Sequence, residues 1–169
     1  MNRKCGPCTL CCTLLPVAEI GKIANQQCTY QKSFGCSIYR DKPMSCNTWS
    51  CLWLLGQAGN VKRPDISHYV IDMYPDFVKV VDKETQEITK MQVIQIWNDP
   101  GFPNAHRDKD LREYLLNLGK RGMIGLVRYN EKDAITLVPP TMVSGDDWVE
   151  ISSNFHEEQY FDEEIGSMS

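Results

Sequence analysis

The residues best able to do chemistry are the eight cysteines, Cys5, Cys8, Cys11, Cys12, Cys28, Cys36, Cys46 and Cys51, and none follows Cys51 in the 169-residue chain. The first four form a CxxCxxCC run, CGPCTLCC. Two-residue gaps let neighbouring thiolates converge on one centre, as in ferredoxin-type runs and zinc knuckles. Gly6-Pro7 in the first gap favours a tight turn that folds the backbone around an ion or cluster. The three histidines, His68, His106 and His156, all lie beyond the cysteines, so the ligands available there are thiolates alone. Thiolates select zinc, iron–sulfur clusters or Cu(I). An even cysteine count would also serve disulfides, but these need an oxidising compartment. The N-terminal Arg3-Lys4 pair is followed by no apolar run, so the reading places the chain in the cytoplasm, with its thiols reduced.

Eight thiolates make two four-coordinate sites, or one site plus reactive thiols. Residues 1–60 carry six Lys/Arg against Glu19 and Asp41, a net +4. A Cys-four zinc ion and a Cys-four 4Fe–4S cluster in its 2+ state are each −2, so two filled sites would neutralise this segment. Zinc sites usually pair two separated CxxC knuckles. Only one such run exists here, and the later gaps of seven, nine and four residues follow no zinc-finger pattern. Three closely spaced cysteines with a distant fourth are more typical of a cubane, so the spacing favours at least one 4Fe–4S cluster, with zinc as the alternative. Phe34, Tyr39, Trp49, Leu52 and Trp53 are candidates for its apolar cover.

Residues 5–53 resemble the YkgJ-like CxxCxxCC family of zinc- or iron-chelating cysteine-cluster proteins. The resemblance is carried by CGPCTLCC at 5–12, the isolated Cys28, and FGCSIYRDKPMSCNTWSCLW at 34–53. Lys42 stands where an Arg usually precedes the Pro, keeping the charge without the planar fork. The resemblance implies metal chelation by the eight cysteines and no particular reaction. Flagellin lysine methylases carry a similar cysteine cluster, but this chain looks too short to hold a separate cofactor domain beside it. The CxxxCxxC spacing used with adenosylmethionine is absent, as are GxGxxG and P-loop motifs. His106-Arg107-Asp108 has the letters of a kinase catalytic loop without its Asn, Gly-rich loop or DFG. His68, on an expected strand, would supply a site only if the fold brought it to the cluster.

The elements that must position the cysteines are less explicit. Val17–Gln27 reads as a short helix with Ile20, Ile23 and Ala24 inward. His68–Met73, Phe77–Asp82 and Ile88–Trp97 read as strands, with a polar turn over Asp82–Glu87. Asp110–Leu118 reads as a helix, with an Asp110/Glu113 capping box, a Leu111/Leu115/Leu118 face and Gly119 as its stop. Met123–Arg128 and Ala134–Val138 form a further strand pair, and Pro139-Pro140 should end the sheet. The expected fold is α+β: an irregular cysteine-rich metal-binding head with a short helix, packed on a small, mostly antiparallel sheet with one helix.

Composition sets outer bounds. Hydrophobic residues make up 42% and charged residues 24%, the balance of a globular domain, with no run apolar enough for a membrane helix. Net charge of −4 argues against nucleic-acid binding. Three regions are expected: the cysteine head at 1–60, an α+β body at 61–144, and an acidic tail at 145–169. The tail has eight acids and no Lys or Arg, so it is read as a disordered end or as a segment that binds a protein partner. Three functions follow. The first is a metal-binding protein with one or two Fe–S clusters for redox chemistry. The second is a zinc-binding structural, interaction or metal-handling protein. The third is a cluster-dependent enzyme modifying proteins or peptides at an iron with an open position.

Overall fold

Tyr69 to Asn98 is the most β-prone stretch of the chain, and it folds back on itself as a long hairpin. The computed structural model describes residues 3–82, 84–143 and 145–154. Strand β3 (Tyr69–Val81) pairs antiparallel with β4 (Ile88–Asn98), from Tyr69↔Asn98 to Val81↔Ile88. The two strands read separately from the sequence are one. Their register shifts between Met73 and Phe77, around Pro75, which has no N–H for the ladder and is tolerated because β3 is an edge strand. Asp82 organises the turn by accepting the Glu84 and Thr85 N–H groups at 2.8 Å each.

Helix α4 (Lys109–Gly119) carries the chain to β5 (Ile124–Arg128), which pairs with β4 in parallel. The sheet then continues antiparallel through β6 (Asp133–Val138) and β7 (Val149–Asn154), in the order β3-β4-β5-β6-β7. The described structure therefore contains helices and a mostly antiparallel five-stranded sheet, as the α+β reading expected. Leu111 and Leu115 of α4 pack on Tyr69, Ile71, Ile94, Ile96, Val127 and Leu137, which is the main core. The capping box does not form. The helix begins after Asp108, whose carboxylate accepts the buried Tyr69 hydroxyl at 2.8 Å instead of capping the helix.

Two further expectations are corrected. Pro139-Pro140 ends β6 but not the sheet, because β7 returns along β6 from Val138↔Val149 to Asp133↔Asn154. The expected tail thus begins with an ordered strand. Two of its acids are paired: Glu150 bridges Arg107 and His106, and Asp147 binds Arg112. Residues 155–169, with the rest of the proposed partner-binding tail, lie outside the described residues. Gly119 does not stop α4 by its flexibility, since the left-handed turn comes at Gly122 (φ +79°). Its role is close packing: a Cβ there would lie 2.6 Å from Cβ of Pro139 and 3.2 Å from the Trp148 ring. Gly119→Ala is expected to destabilise the protein by about 1–3 kcal/mol in urea unfolding, despite alanine's better helix propensity. An unchanged or raised midpoint would show that the β6–β7 connection yields freely.

The head is small-element structure. It comprises α1 (Leu10–Leu14), the hairpin β1 (Gln31–Lys32) and β2 (Gly35–Cys36), and α2 (Met44–Thr48), and the short helix α3 (Pro64–Ser67) precedes β3. The helix expected over Val17–Gln27 is a single 3-10 turn, Ala18–Ile20. Gly21 and Asn25 adopt left-handed backbone angles there, and the chain closes on itself through a Val17↔Lys22 bridge. Ile23, expected inward, is 63% exposed. Head and body meet in a second apolar cluster, where Leu14, Ala24 and Cys51 pack with Val70 of β3 and Trp97 of β4. Leu52 N–H extends the contact by donating to Ile71 carbonyl at 2.8 Å. Arg3 fixes the start of the chain by donating to the carbonyls of Trp53 and Gly59.

Candidate metal centre

The cysteine run folds as the spacing requires. Cys8 N–H bonds Cys5 carbonyl at 3.0 Å around Gly6 in a left-handed conformation (φ +55°), so the first two thiols share one turn. Cys11 and Cys12 lie on α1. Gln31 stitches β1 to α1 through the Thr9 and Thr13 hydroxyls, and Cys28 N–H reaches Cys12 carbonyl at 3.1 Å. Cys36 faces Gln31 across the small hairpin. Cys46 sits in α2, pinned by Ser45, whose N–H and hydroxyl both donate to Glu19. Cys51 is the one buried cysteine, and its sulfur accepts Leu54 N–H at 3.4 Å.

All eight are free thiols. Cys51 lies within electrostatic reach of Cys5 and Cys8, Cys11 of Cys8 and Cys51, and Cys46 of Cys12 and Cys28. Burial pushes the Cys5, Cys8, Cys46 and Cys51 thiols above the ordinary range. Cys11 is raised further still, chiefly because it donates its proton to Cys12 and also because it is buried. That same bond, aided by Lys22 and Lys42, draws Cys12 down to about 7. Cys12 is therefore the most readily ionised thiol of the CxxCxxCC run.

Two polar residues that the sequence reading did not single out support the site. Lys22 is only 6% exposed, and its ammonium donates to the carbonyls of Thr13 and Leu15, left open where α1 ends, and to that of Ile23. Asp72, buried on β3, accepts Trp49 Nε1 at 2.8 Å and Gln95 Nε2 at 3.1 Å, tying the Cys46–Cys51 segment to the sheet. An acid inside the apolar run YVIDM was the visible signal for it. Burial raises Asp72 to about 6, with both hydrogen bonds and Arg128 opposing.

This acid is raised in the folded protein, so its contribution to stability is greatest below about pH 4 and declines as pH rises toward 6. Asp72→Asn is expected to raise stability at pH 7 by about 1–3 kcal/mol, with the gain vanishing near pH 4. Thermal melts of both proteins across that range test the sign. A variant less stable at pH 7 would mean that the charged hydrogen bonds outweigh desolvation.

Of the expected cover, Trp49, Leu52 and Trp53 pack into the clusters beneath the cysteines, whereas Phe34 and Tyr39 are 78% and 68% exposed. Phe34 follows β1 in the tight connection of the small hairpin, where the chain has nothing to pack against. Neither described histidine lies at the site. His68 stacks on Phe102 at 3.5 Å, 3.8 Å from Asp99, in an open cleft of about 580 Å³ that no cysteine lines. His106 is buried against Glu150 in a 3-10 turn, and His156 lies outside the described residues.

The donor set suits a soft metal in kind and in number. Among the described residues, however, no three His, Cys, Asp or Glu side chains are close enough together to hold an ion. A bound metal would have to draw in thiols that this structure leaves apart. No helix among the described residues is long and apolar enough to cross a membrane. No family model, curated protein or solved structure matches the chain.

Proposed function

We propose that the head is a thiolate metal centre holding one or two iron–sulfur clusters, with 4Fe–4S favoured, and that it serves redox or cluster-dependent chemistry in the cytoplasm. The observation that carries this reading is the gathering of all eight thiols onto one small-element head, in which none is tied up in a disulfide. Such a concentration of soft donors is costly to keep reduced and unligated, and it has no histidine or carboxylate ligand to redirect it to a harder ion. Cys51, Trp49 and Trp53 supply the dry floor that would shield a cluster. The YkgJ-like motif residues point the same way.

Brief native alkylation tests the proposal. In protein purified without oxygen, most of the eight cysteines are expected to resist labelling until a chelator and acid remove the metal. Rapid labelling of most cysteines in the untreated protein would mean that the thiols are free and the reading is wrong.

A further inference from the structure

We infer that residues 155–169 bind the exposed face of their own head around Tyr39, Lys42 and Met44, as an acidic cover over α2. The inference goes beyond the proposed function and is the same whichever metal the head carries.

The face is both apolar and basic. Tyr39, Met44 and Ile23 are exposed, and printed contacts join them into one surface. Ile23 follows the loop closed by the Val17↔Lys22 bridge, and Glu19 of that loop holds Ser45, the neighbour of Met44 in α2. Lys42 Nζ lies 4.4 Å from the centroid of the Tyr39 ring. Arg40 is exposed beside them, and among the described residues neither Arg40 nor Lys42 forms an ion pair. The nearby acids are Asp41 and Glu19, and Ser45 already engages Glu19.

The described chain ends on the right side of the body. Asn154 of β7 pairs with Asp133 at the start of β6. The turn before Asp133 is where the body meets the Ile23 loop: Ala24 N–H donates to the Glu131 carboxylate, and the Asn25 amide to Tyr129 carbonyl. Residues 155–169 extend at most about 50 Å. A unit of 60 residues has a radius of gyration of only about 10 Å, so Tyr39 and Lys42 are within reach.

The composition is complementary. Residues 155–169 hold Glu157, Glu158, Asp162, Glu163 and Glu164 and no Lys or Arg, with Phe155, Tyr160 and Phe161 among them. Their acids pair with Arg40 and Lys42, and their rings bury against Tyr39, Met44 and Ile23. Filled thiolate sites cancel much of the head's net charge, so the contact depends on these surface cations. A second copy carries the same segment, but a tethered one acts at an effective concentration of order mM, which favours its own head.

The test is zero-length carbodiimide cross-linking of the full chain, purified without oxygen and held at low salt, with peptide mapping of the monomer. Links from Glu157–Glu164 to Lys42 are expected, measured against links to Lys132, which adjoins Asp133 and serves as the reference. Raising the salt to about 1 M should cut the Lys42 link about fivefold relative to that reference, because exposed charges are screened. Arg40→Glu at low salt should do the same. Links to Lys132 with none to Lys42 overturn the inference. A Lys42 link found only in dimers also overturns it and assigns the cover to a second copy.

Discussion

Stripping the metal is expected to unfold residues 3–50 while leaving the sheet folded. In that segment the described side chains include only three buried ones, Leu14, Lys22 and Ala24, and one of those carries a charge. So little apolar burial cannot offset the entropy of ordering the segment. Structural metal sites in small domains contribute on the order of 10 kcal/mol, and the fold is lost with the ion. The body differs, because Tyr69, Ile71, Ile94, Ile96, Leu111, Leu115 and Val127 form a continuous core without the head. Hydrogen exchange on the metal-free chain should show head amides exchanging at least a hundredfold faster than in the loaded protein, with β4 and β5 still protected. Equal protection of the head in both forms would mean that its own contacts hold it together.

The second large effect is expected at Lys22. Lys22→Met keeps the length of the side chain but leaves the carbonyls of Thr13, Leu15 and Ile23 without their shared donor. Leaving buried carbonyls without their donor typically costs about 1–3 kcal/mol. Urea unfolding of the loaded protein, with hydrogen exchange read at the head amides, measures the loss. A variant as stable as the natural protein would show that solvent satisfies those carbonyls.

Legibility from the sequence followed how local each signal was. Ile88–Trp97 and Met123–Arg128 carry dense β-branched and aromatic residues, and the strands found there differ by one residue at an end. The leucine face of α4 was equally plain, because Leu111 and Leu115 point one way whatever they meet. Partnership was not local. Nothing in β4 or β5 says that they run parallel, and β7 is a strand because β6 offers it an edge, not because ISSN favours one.

Val17–Gln27 misled through its Ile20/Ile23 spacing. The left-handed Gly21 and Asn25 and the inward turn of Lys22 decide its path, and these depend on the carbonyls at the end of α1. For the site, the cysteine spacing was explicit. The supporting Lys22 and the Asp72–Trp49–Gln95 contact became visible only once the chain was folded, because each joins segments far apart in sequence.

The central claim is that these thiols hold metal, and specifically iron–sulfur clusters. The most direct measurement is the iron, sulfide and zinc content per chain after anaerobic purification, with the absorbance near ~400 nm. A brown protein with about four iron and four sulfide, or twice that, is the expected result. A colourless protein with one or two zinc would keep the thiolate centre and overturn the cluster, and a metal-free chain with eight free thiols would contradict the account outright.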